Sequence, residues 1–179
     1  MIEIQKHVYV EKEFKDSWLE TNEFGDSYIK EELQGGYHYH FDQQFLEIFF
    51  NTGGKIELYN YSIKKNDLII SGEMIPPKTI RLVHPHLDNV TSEGVIIHEL
   101  GHYFDEKHQF SSSKQFTELY KKYRTLFNQK TKKEYFAECF KEYVGGHQEK
   151  VKPFHSYMKT ITQKIRQKNK CCLLYTSPS

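Results

Sequence analysis

Hydrophobic and polar positions divide the chain into a first part with short-range alternation and a second part with helical spacing. Near the N-terminus, residues 2–4 and 8–10 predict short extended segments, and the apolar residues between 14 and 33 predict amphipathic helix. Aromatic residues alternate with histidine over 37–41, which predicts a strand. Further strands are predicted at 45–50, from Ile56 onward, at 68–70 and at 80–83, with turns at 51–54 and 66–67.

From about residue 90 the spacing changes to the period of an α-helix. Apolar residues predict helices within 95–104, 116–127, 136–144 and 154–165, with N-cap candidates in 88–92. Two capping boxes, Ser112 with Gln115 and Thr131 with Glu134, mark helix starts, and Gly145–Gly146 marks a helix end. Residues 168–179 show no periodicity and resemble a cloning remnant, so we expect a single domain over 1–167 and an unstructured tail.

Composition narrows the class of protein. The chain has 179 residues, which is enough for one domain. Its 25 Lys and Arg balance 24 Asp and Glu, which argues against a nucleic-acid-binding module, because such a module needs a basic surplus. No apolar run is long enough for a transmembrane helix, and the first residues lack the apolar stretch of a signal peptide. These features do not decide the cellular compartment of the protein.

The segment HELGH, from His98 to His102, carries the chemistry. Each residue turns an α-helix by about 100°, so His98 and His102 lie about 40° apart on one face, one turn from each other. Two imidazole nitrogens can then bind one metal ion. Glu99 lies at the edge of the same face, where its carboxylate can reach a metal-bound water. This arrangement is typical of metal-assisted peptide hydrolysis.

A catalytic zinc ion needs a third protein ligand, and a later helix offers two candidates. Glu134 and Glu138, followed by Glu142, form an acidic stripe at intervals of four residues. Such like charges repel one another slightly, and a bound cation would reverse that effect. From the residues alone, Glu134 is also explained as part of the Thr131 capping box, and the stripe as a solvated face with Lys141 beside it. Both interpretations stay open here.

HELGHYFDE followed by EYFAECF resembles the catalytic domain of anthrax lethal factor and its smaller relatives, the bacterial proline–proline endopeptidases. These proteins are gluzincins, in which the two histidines of HExxH and a later glutamate bind zinc. The resemblance covers roughly residues 92–166. It implies that His98, His102 and Glu134 bind zinc, that Glu99 is the general base, and that Glu138 orients a ligand histidine from outside the zinc ligands.

One residue departs from the family pattern. The family has a tyrosine seven residues before the ligand glutamate, which assists the developing oxyanion, and this chain has Phe127 there. Tyr123 or Tyr120 is the candidate substitute. Loss of an oxyanion donor costs about 10²–10³ in rate.

The fold expected from these features is α+β and zincin-like, with a small twisted sheet packed on the HExxH helix and a helical C-terminal half. The expected function is zinc-dependent endoproteolysis by a monomer. A peptide or protein substrate would lie extended in the cleft and pair with a sheet edge, for which 80–83 is the candidate strand. No nucleic-acid partner is expected. The resemblance implies secretion.

Two other functions are compatible with the sequence. One is a catalytically degenerate, zinc-bound, toxin-like binding module, which the phenylalanine at position 127 favours. The other is a metal-free helical interaction domain in which HExxH is accidental. The HxH pairs His38/His40 and His84/His86 are expected to be ordinary histidines without a third ligand. Cys139 is expected in the core.

Overall fold

The computed structural model describes residues 1–21, 25–61, 63–65, 68–84, 93–129 and 131–174. The strands are β1 (Ile2–Gln5), β2 (Val8–Val10), β3 (Lys55–Tyr59), β4 (Ile63–Lys65), β5 (Leu68–Ile70), β6 (Gly72–Ile75) and β7 (Thr79–Val83). The α-helices are α1 (Lys15–Leu19), α2 (Tyr28–Leu33), α3 (Gln44–Asn51), α4 (Val95–His108), α5 (Lys114–Tyr123), α6 (Lys132–Val144) and α7 (His155–Leu174). Short 3₁₀ helices cover Lys12–Phe14, Phe110–Ser112 and Gln148–Phe154.

Five of the strands form one mixed sheet. Their order is β1-β2-β3-β7-β6, while β4 pairs with β5 in a separate two-stranded unit. Strands β2, β3 and β7 run parallel, and the outer strands β1 and β6 run antiparallel to their neighbours. Helix α4 packs on β6 and β7, and helices α4 to α7 supply the second half of the chain. The molecule is therefore α+β, with a small sheet and a helical C-terminal half, as expected.

The expectation that residues 80–83 form the sheet edge is wrong. Strand β7 lies between β3 and β6, and the edge next to α4 is β6 instead. Pro85 stands two residues after this strand in the sequence, and a proline, which cannot donate a hydrogen bond to a sheet, favours an edge position. The described strand ends at Val83, so a proline beyond that end places no limit on the pairing of β7. The strand 72–75 was not predicted, because its four residues stand directly before a pair of prolines.

Residues 45–50 were expected to form a strand and instead belong to helix α3. The backbone N–H of Gln44 donates to the side chain of Asp42 at 3.0 Å, which helps the helix to begin. Phe45, Leu46, Ile48 and Phe49 are buried while Glu47 is exposed, which is a helical pattern. A run of six residues is too short for its period to separate a helix from a buried strand. Residues 37–41, also expected as a strand, form none.

The helix boundaries agree closely with the predicted caps. Thr131 caps α6, since its hydroxyl accepts a hydrogen bond from the Glu134 N–H, and Gly145 ends that helix. The cap of α5 is Ser113, one residue later than expected, because residues 110–112 form a 3₁₀ turn first. Helix α4 begins after Gly94, and the N-cap candidates at 88–92 and the turn at 66–67 lie outside the described residues.

The tail expectation is wrong in part. Helix α7 continues to Leu174, through residues that were expected to be unstructured, and residues 175–179 lie outside the described part of the chain. Lysine and leucine in this stretch are good helix formers, and extending an existing helix requires no new nucleation. None of the helices described is long and apolar enough to cross a membrane.

Helices α4 and α6 cross at Gly101, and this crossing positions the candidate site. A Cβ atom added at Gly101 would lie 2.9 Å from the Cα of Ala137 and 3.2 Å from the Cβ of Phe140. The backbones therefore approach more closely than any side chain at 101 would allow. Buried apolar residues of both helices, including Leu100 and Phe140, surround the crossing.

We expect Gly101→Ala to destabilise the protein. Alanine favours a helix over glycine by about 1 kcal/mol, but its methyl group meets backbone of α6, which cannot move aside alone. Overpacking of this kind costs about 1–3 kcal/mol, so the midpoint of urea unfolding is expected to fall. Gln163→Ala, at an exposed position of α7, is the control and should leave the midpoint nearly unchanged. A higher midpoint for Gly101→Ala would contradict the close crossing.

Candidate metal centre

Helices α4 and α6 bring two histidines and a glutamate together. His98 and His102 lie one turn apart on α4, with ring centroids 4.8 Å apart. Glu134 lies in the first turn of α6, where the Thr131 hydroxyl caps its backbone N–H. The Glu134 side chain points to the histidines, so the capping interaction and the contact with the histidines coexist.

The three candidate ligand atoms form a compact triangle. The Nε2 atoms of His98 and His102 are 3.1 Å apart, and Glu134 Oε2 lies 3.2 Å from the first and 3.3 Å from the second. Ligands about 2.0–2.1 Å from a tetrahedral zinc ion are about 3.3–3.4 Å from one another. The donor set therefore fits one small divalent ion, with a coordination position left for solvent. Two imidazoles and a carboxylate suit zinc but also other divalent transition metals.

Glu138 lies behind His98, on the side away from this triangle. Its Oε2 is 3.2 Å from His98 Nδ1, and its Oε1 is 2.6 Å from Lys141 Nζ. A carboxylate that accepts the Nδ1 proton leaves the Nε2 lone pair free for a metal. Burial raises the pKa of Glu138, but the hydrogen bonds from His98 and Lys141 outweigh it and lower the pKa.

Two of the three glutamates in the acidic stripe are largely buried, while the Glu134 side chain is 45% exposed. Glu142 is 4% exposed, and its carboxylate accepts hydrogen bonds from Tyr39 Oη and His147 Nδ1 at 3.0 Å each. Lys150 Nζ lies 3.1 Å from the same carboxylate. Glu142 therefore pairs with Tyr39, His147 and Lys150 rather than with the histidines of α4, and Glu134 is the glutamate that faces both of those histidines.

Without a metal ion, the contacts between the histidines and the glutamates favour a protonated His98 and an ionised Glu134. Burial disfavours the charged form of His98, but hydrogen bonds to Glu134 and Glu138 raise its pKa to about 9. The hydrogen bonds from His102 and His98 lower the pKa of Glu134 far below its usual range. The surroundings of the site therefore stabilise positive charge between the histidines and the Glu134 carboxylate.

We expect zinc to compete with the His98 proton. Because hydrogen bonds raise the pKa of His98 to about 9 in the metal-free protein, zinc bound here near neutral pH would displace that proton. The apparent zinc affinity should therefore rise by at least about tenfold per pH unit between about pH 7 and pH 8.5. Chelator competition at several pH values measures this slope. A zinc affinity that does not change over that range would contradict a shared proton and metal site.

Glu99 is nearly buried beside the cluster. Burial raises its pKa, although the nearby histidines and a hydrogen bond from the Met74 backbone N–H act in the opposite direction. A carboxylate with a raised pKa can both accept and return a proton near neutral pH. Glu99 is not part of the ligand triangle, so it remains available for that role.

The cluster lies in an open cleft of about 570 Å³. One wall is α4 and the start of α6, and the other is the edge strand β6, of which Gly72, Glu73 and Met74 line the cleft. Residues along an antiparallel strand alternate between those whose backbone groups hydrogen-bond to the neighbouring strand and those whose backbone groups point away from it. Ser71 and Glu73 are of the first kind towards β7, so the backbone groups of Gly72 and Met74 point away from β7. No pattern of residues predicted this edge.

The tyrosines considered as oxyanion donors do not line the cleft. Tyr120 and Phe127 pack on the ring of Tyr135, and Tyr123 packs on Phe154. Among the described residues that line the cleft there is no tyrosine, whereas Lys133 is present. Neither Tyr120 nor Tyr123 therefore brings to the cleft the hydroxyl that Phe127 lacks.

The remaining histidine and cysteine candidates have structural partners. His38 pairs with Glu93, and the ring of His84 is buried against Trp18 and Tyr28. His86 lies outside the described residues, and the described part of the chain holds no second metal-ligand group. Cys139 is buried, and burial raises its pKa far above the usual range. It is a core residue, as expected.

No protein-family model matches the chain, and no curated protein matches it.

Proposed function

We propose that this chain is a zinc-dependent metalloendopeptidase of the gluzincin type with a zincin-like fold. The observation that carries the proposal is the convergence of His98 Nε2, His102 Nε2 and Glu134 Oε2, within 3.3 Å of one another, beside the buried carboxylate of Glu99. Metal ligands and a separate proton acceptor in one open cleft are the minimum that metal-assisted peptide hydrolysis requires.

The residues have distinct roles in this proposal. A zinc ion, when bound, polarises the scissile carbonyl and lowers the pKa of an attacking water toward about 7. Glu99 accepts the proton of that water on its carboxylate and returns it to the nitrogen of the leaving amine. Glu138 keeps the proton of His98 on Nδ1. These roles match the ones that the resemblance implies.

The substrate proposed is a peptide in extended conformation. Strand β6 borders the cleft and has no further strand beside it among the described residues. An extended peptide can add to such an edge through main-chain hydrogen bonds. This edge replaces residues 80–83 as the candidate for substrate pairing.

A second candidate function is a zinc-bound binding module that has lost catalysis. The absence of a tyrosine from the described cleft residues favours it, because the oxyanion would then lack a donor from the chain's aromatic residues. The loss of one such donor lowers rates by about 10²–10³ but does not abolish them. We therefore keep hydrolysis as the primary proposal.

A peptide-library digest with metal analysis separates the two candidates. Purified protein is loaded with zinc, its metal content is measured, and cleavage products are identified by mass spectrometry with and without a chelator. One zinc per chain with chelator-sensitive cleavage is the expected result. One zinc per chain without cleavage would favour the binding module, and protein without stoichiometric zinc would contradict both.

A further inference from the structure

Lys141 lies next to the candidate metal centre without touching the ligand triangle. It follows Glu138 by three residues on α6, and its Nζ atom is 2.6 Å from Glu138 Oε1. The two side chains are only 16% and 14% exposed. A short ion pair with so little solvent around it is well defined in geometry, unlike most ion pairs on a protein surface.

The Lys141 side chain is held from other directions as well. Its Nζ lies 3.8 Å from Glu142 Oε1 and 5.9 Å from the centre of the Tyr39 ring. Its Cδ packs against Gly94, the residue directly before α4, and lies 2.9 Å from the position that a Cβ atom on Gly94 would take. Lys141 therefore joins α6 to the start of the helix that carries His98.

Glu138 has its two oxygens engaged in opposite directions. Oε1 accepts from Lys141 and Oε2 accepts from His98 Nδ1. A glutamate side chain has several rotatable bonds, so one hydrogen bond alone leaves its carboxylate free to turn. With Lys141 in place, the carboxylate is fixed at both ends and the His98 ring is fixed with it.

We propose that Lys141 is a positioning residue for His98, acting through Glu138. The proposal rests on the proposed metal site. Lys141 orients the Glu138 carboxylate, the carboxylate holds the proton on His98 Nδ1, and His98 Nε2 then faces His102 and Glu134. Lys141 therefore affects the geometry of the three metal ligands, and the affinity of the site for a metal ion measures that effect directly.

The sign of the effect separates positioning from simple charge. A lysine ammonium repels a divalent cation, so removing the charge alone would tighten zinc binding. Loss of positioning weakens zinc binding, because His98 is then free to turn away. The two explanations predict opposite directions for the same substitution.

Lys141→Met tests the proposal, since methionine keeps much of the aliphatic length and removes the ammonium. The zinc dissociation constant is measured by competition with a chromophoric chelator, and circular dichroism checks that the fold is retained. We expect zinc binding to weaken by about 10–100-fold. Lys141→Arg should restore most of the affinity, because a guanidinium can donate to the same oxygen. Unchanged or tighter binding by Lys141→Met would overturn the proposal.

Lys133→Met is the matched control. Lys133 is also on α6 and lines the cleft, but its Nζ pairs with exposed Glu106 at 3.4 Å and not with Glu138. Its removal should leave zinc affinity unchanged or slightly tighter. If Lys141→Met does not fold, Lys141→Gln, which keeps polarity at this position, provides the same comparison.

A double-mutant cycle identifies the route. If Lys141 acts through Glu138, then Glu138→Gln and the double variant Lys141→Met/Glu138→Gln should bind zinc equally weakly. If the losses of zinc affinity in the two single variants add up in the double variant, Lys141 does not act through Glu138. Wild-type protein that binds no zinc would overturn the proposed function together with this proposal, whereas equal affinity of wild type and Lys141→Met would overturn the positioning role alone.

Discussion

Glu99→Gln is expected to abolish most peptide hydrolysis while leaving zinc bound. Glutamine has the same shape, and its amide oxygen can still accept the hydrogen bond from the Met74 N–H, but it cannot take a proton from water. A general base contributes about 10²–10⁴ to the rate, so kcat/KM should fall by that factor. The measurement is the initial rate on a peptide found by the library digest.

The same variant separates catalysis from folding. Burial raises the pKa of Glu99, which means that its charged form is disfavoured in the folded protein. The neutral glutamine removes that penalty, so the unfolding midpoint at neutral pH should stay the same or rise. Glu118→Gln, at an exposed position of α5, should keep full activity. Hydrolysis that persists in Glu99→Gln would show that Glu99 is not the base.

Glu134→Gln is expected to weaken zinc binding more than any change outside the ligand set. Glutamine removes the negative charge that both histidines face, and its amide is a poor zinc ligand. Substitutions behind the ligands cost about 10–100-fold in metal affinity, so loss of a ligand should exceed about 100-fold. Hydrolysis should be lost in parallel, because the candidate metal is then bound by the histidines alone.

Glu106→Gln is the matched control for this prediction. Glu106 is an exposed carboxylate that lines the same cleft from α4 and pairs with Lys133. Its removal takes one negative charge from the cleft without touching the ligand triangle, so zinc affinity should change little. Equal losses in Glu106→Gln and Glu134→Gln would indicate a general charge effect and would argue against Glu134 as a ligand.

Short-range spacing was enough to place His98, Glu99 and His102. Residues four apart on a helix share a face whatever the helix packs against. The choice between Glu134 and Glu138 is different, because these glutamates are also four residues apart on one face. Which of them faces both histidines depends on how α6 crosses α4, and that crossing is set by the contact of Gly101 with Ala137.

The errors in the predicted fold also arose because a local sequence pattern does not show which elements lie next to one another. The strand pattern at 80–83 was correct, but a pattern along one strand does not say which strands lie beside it, so β7 was placed at the edge in error. The apolar run at 45–50 fits a strand or a helix equally well. Lys141 was seen only as a neighbour of the acidic stripe, and its contact with Glu138 becomes informative only when His98 is known to lie on the other side.

Anomalous diffraction from a crystal of the zinc-loaded protein would locate the ion and identify its ligands. We predict one zinc ion about 2.0–2.2 Å from the Nε2 atoms of His98 and His102 and from a Glu134 carboxylate oxygen. A zinc ion bound by other residues, or a Glu134 side chain turned away from an ion held by the two histidines, would contradict it.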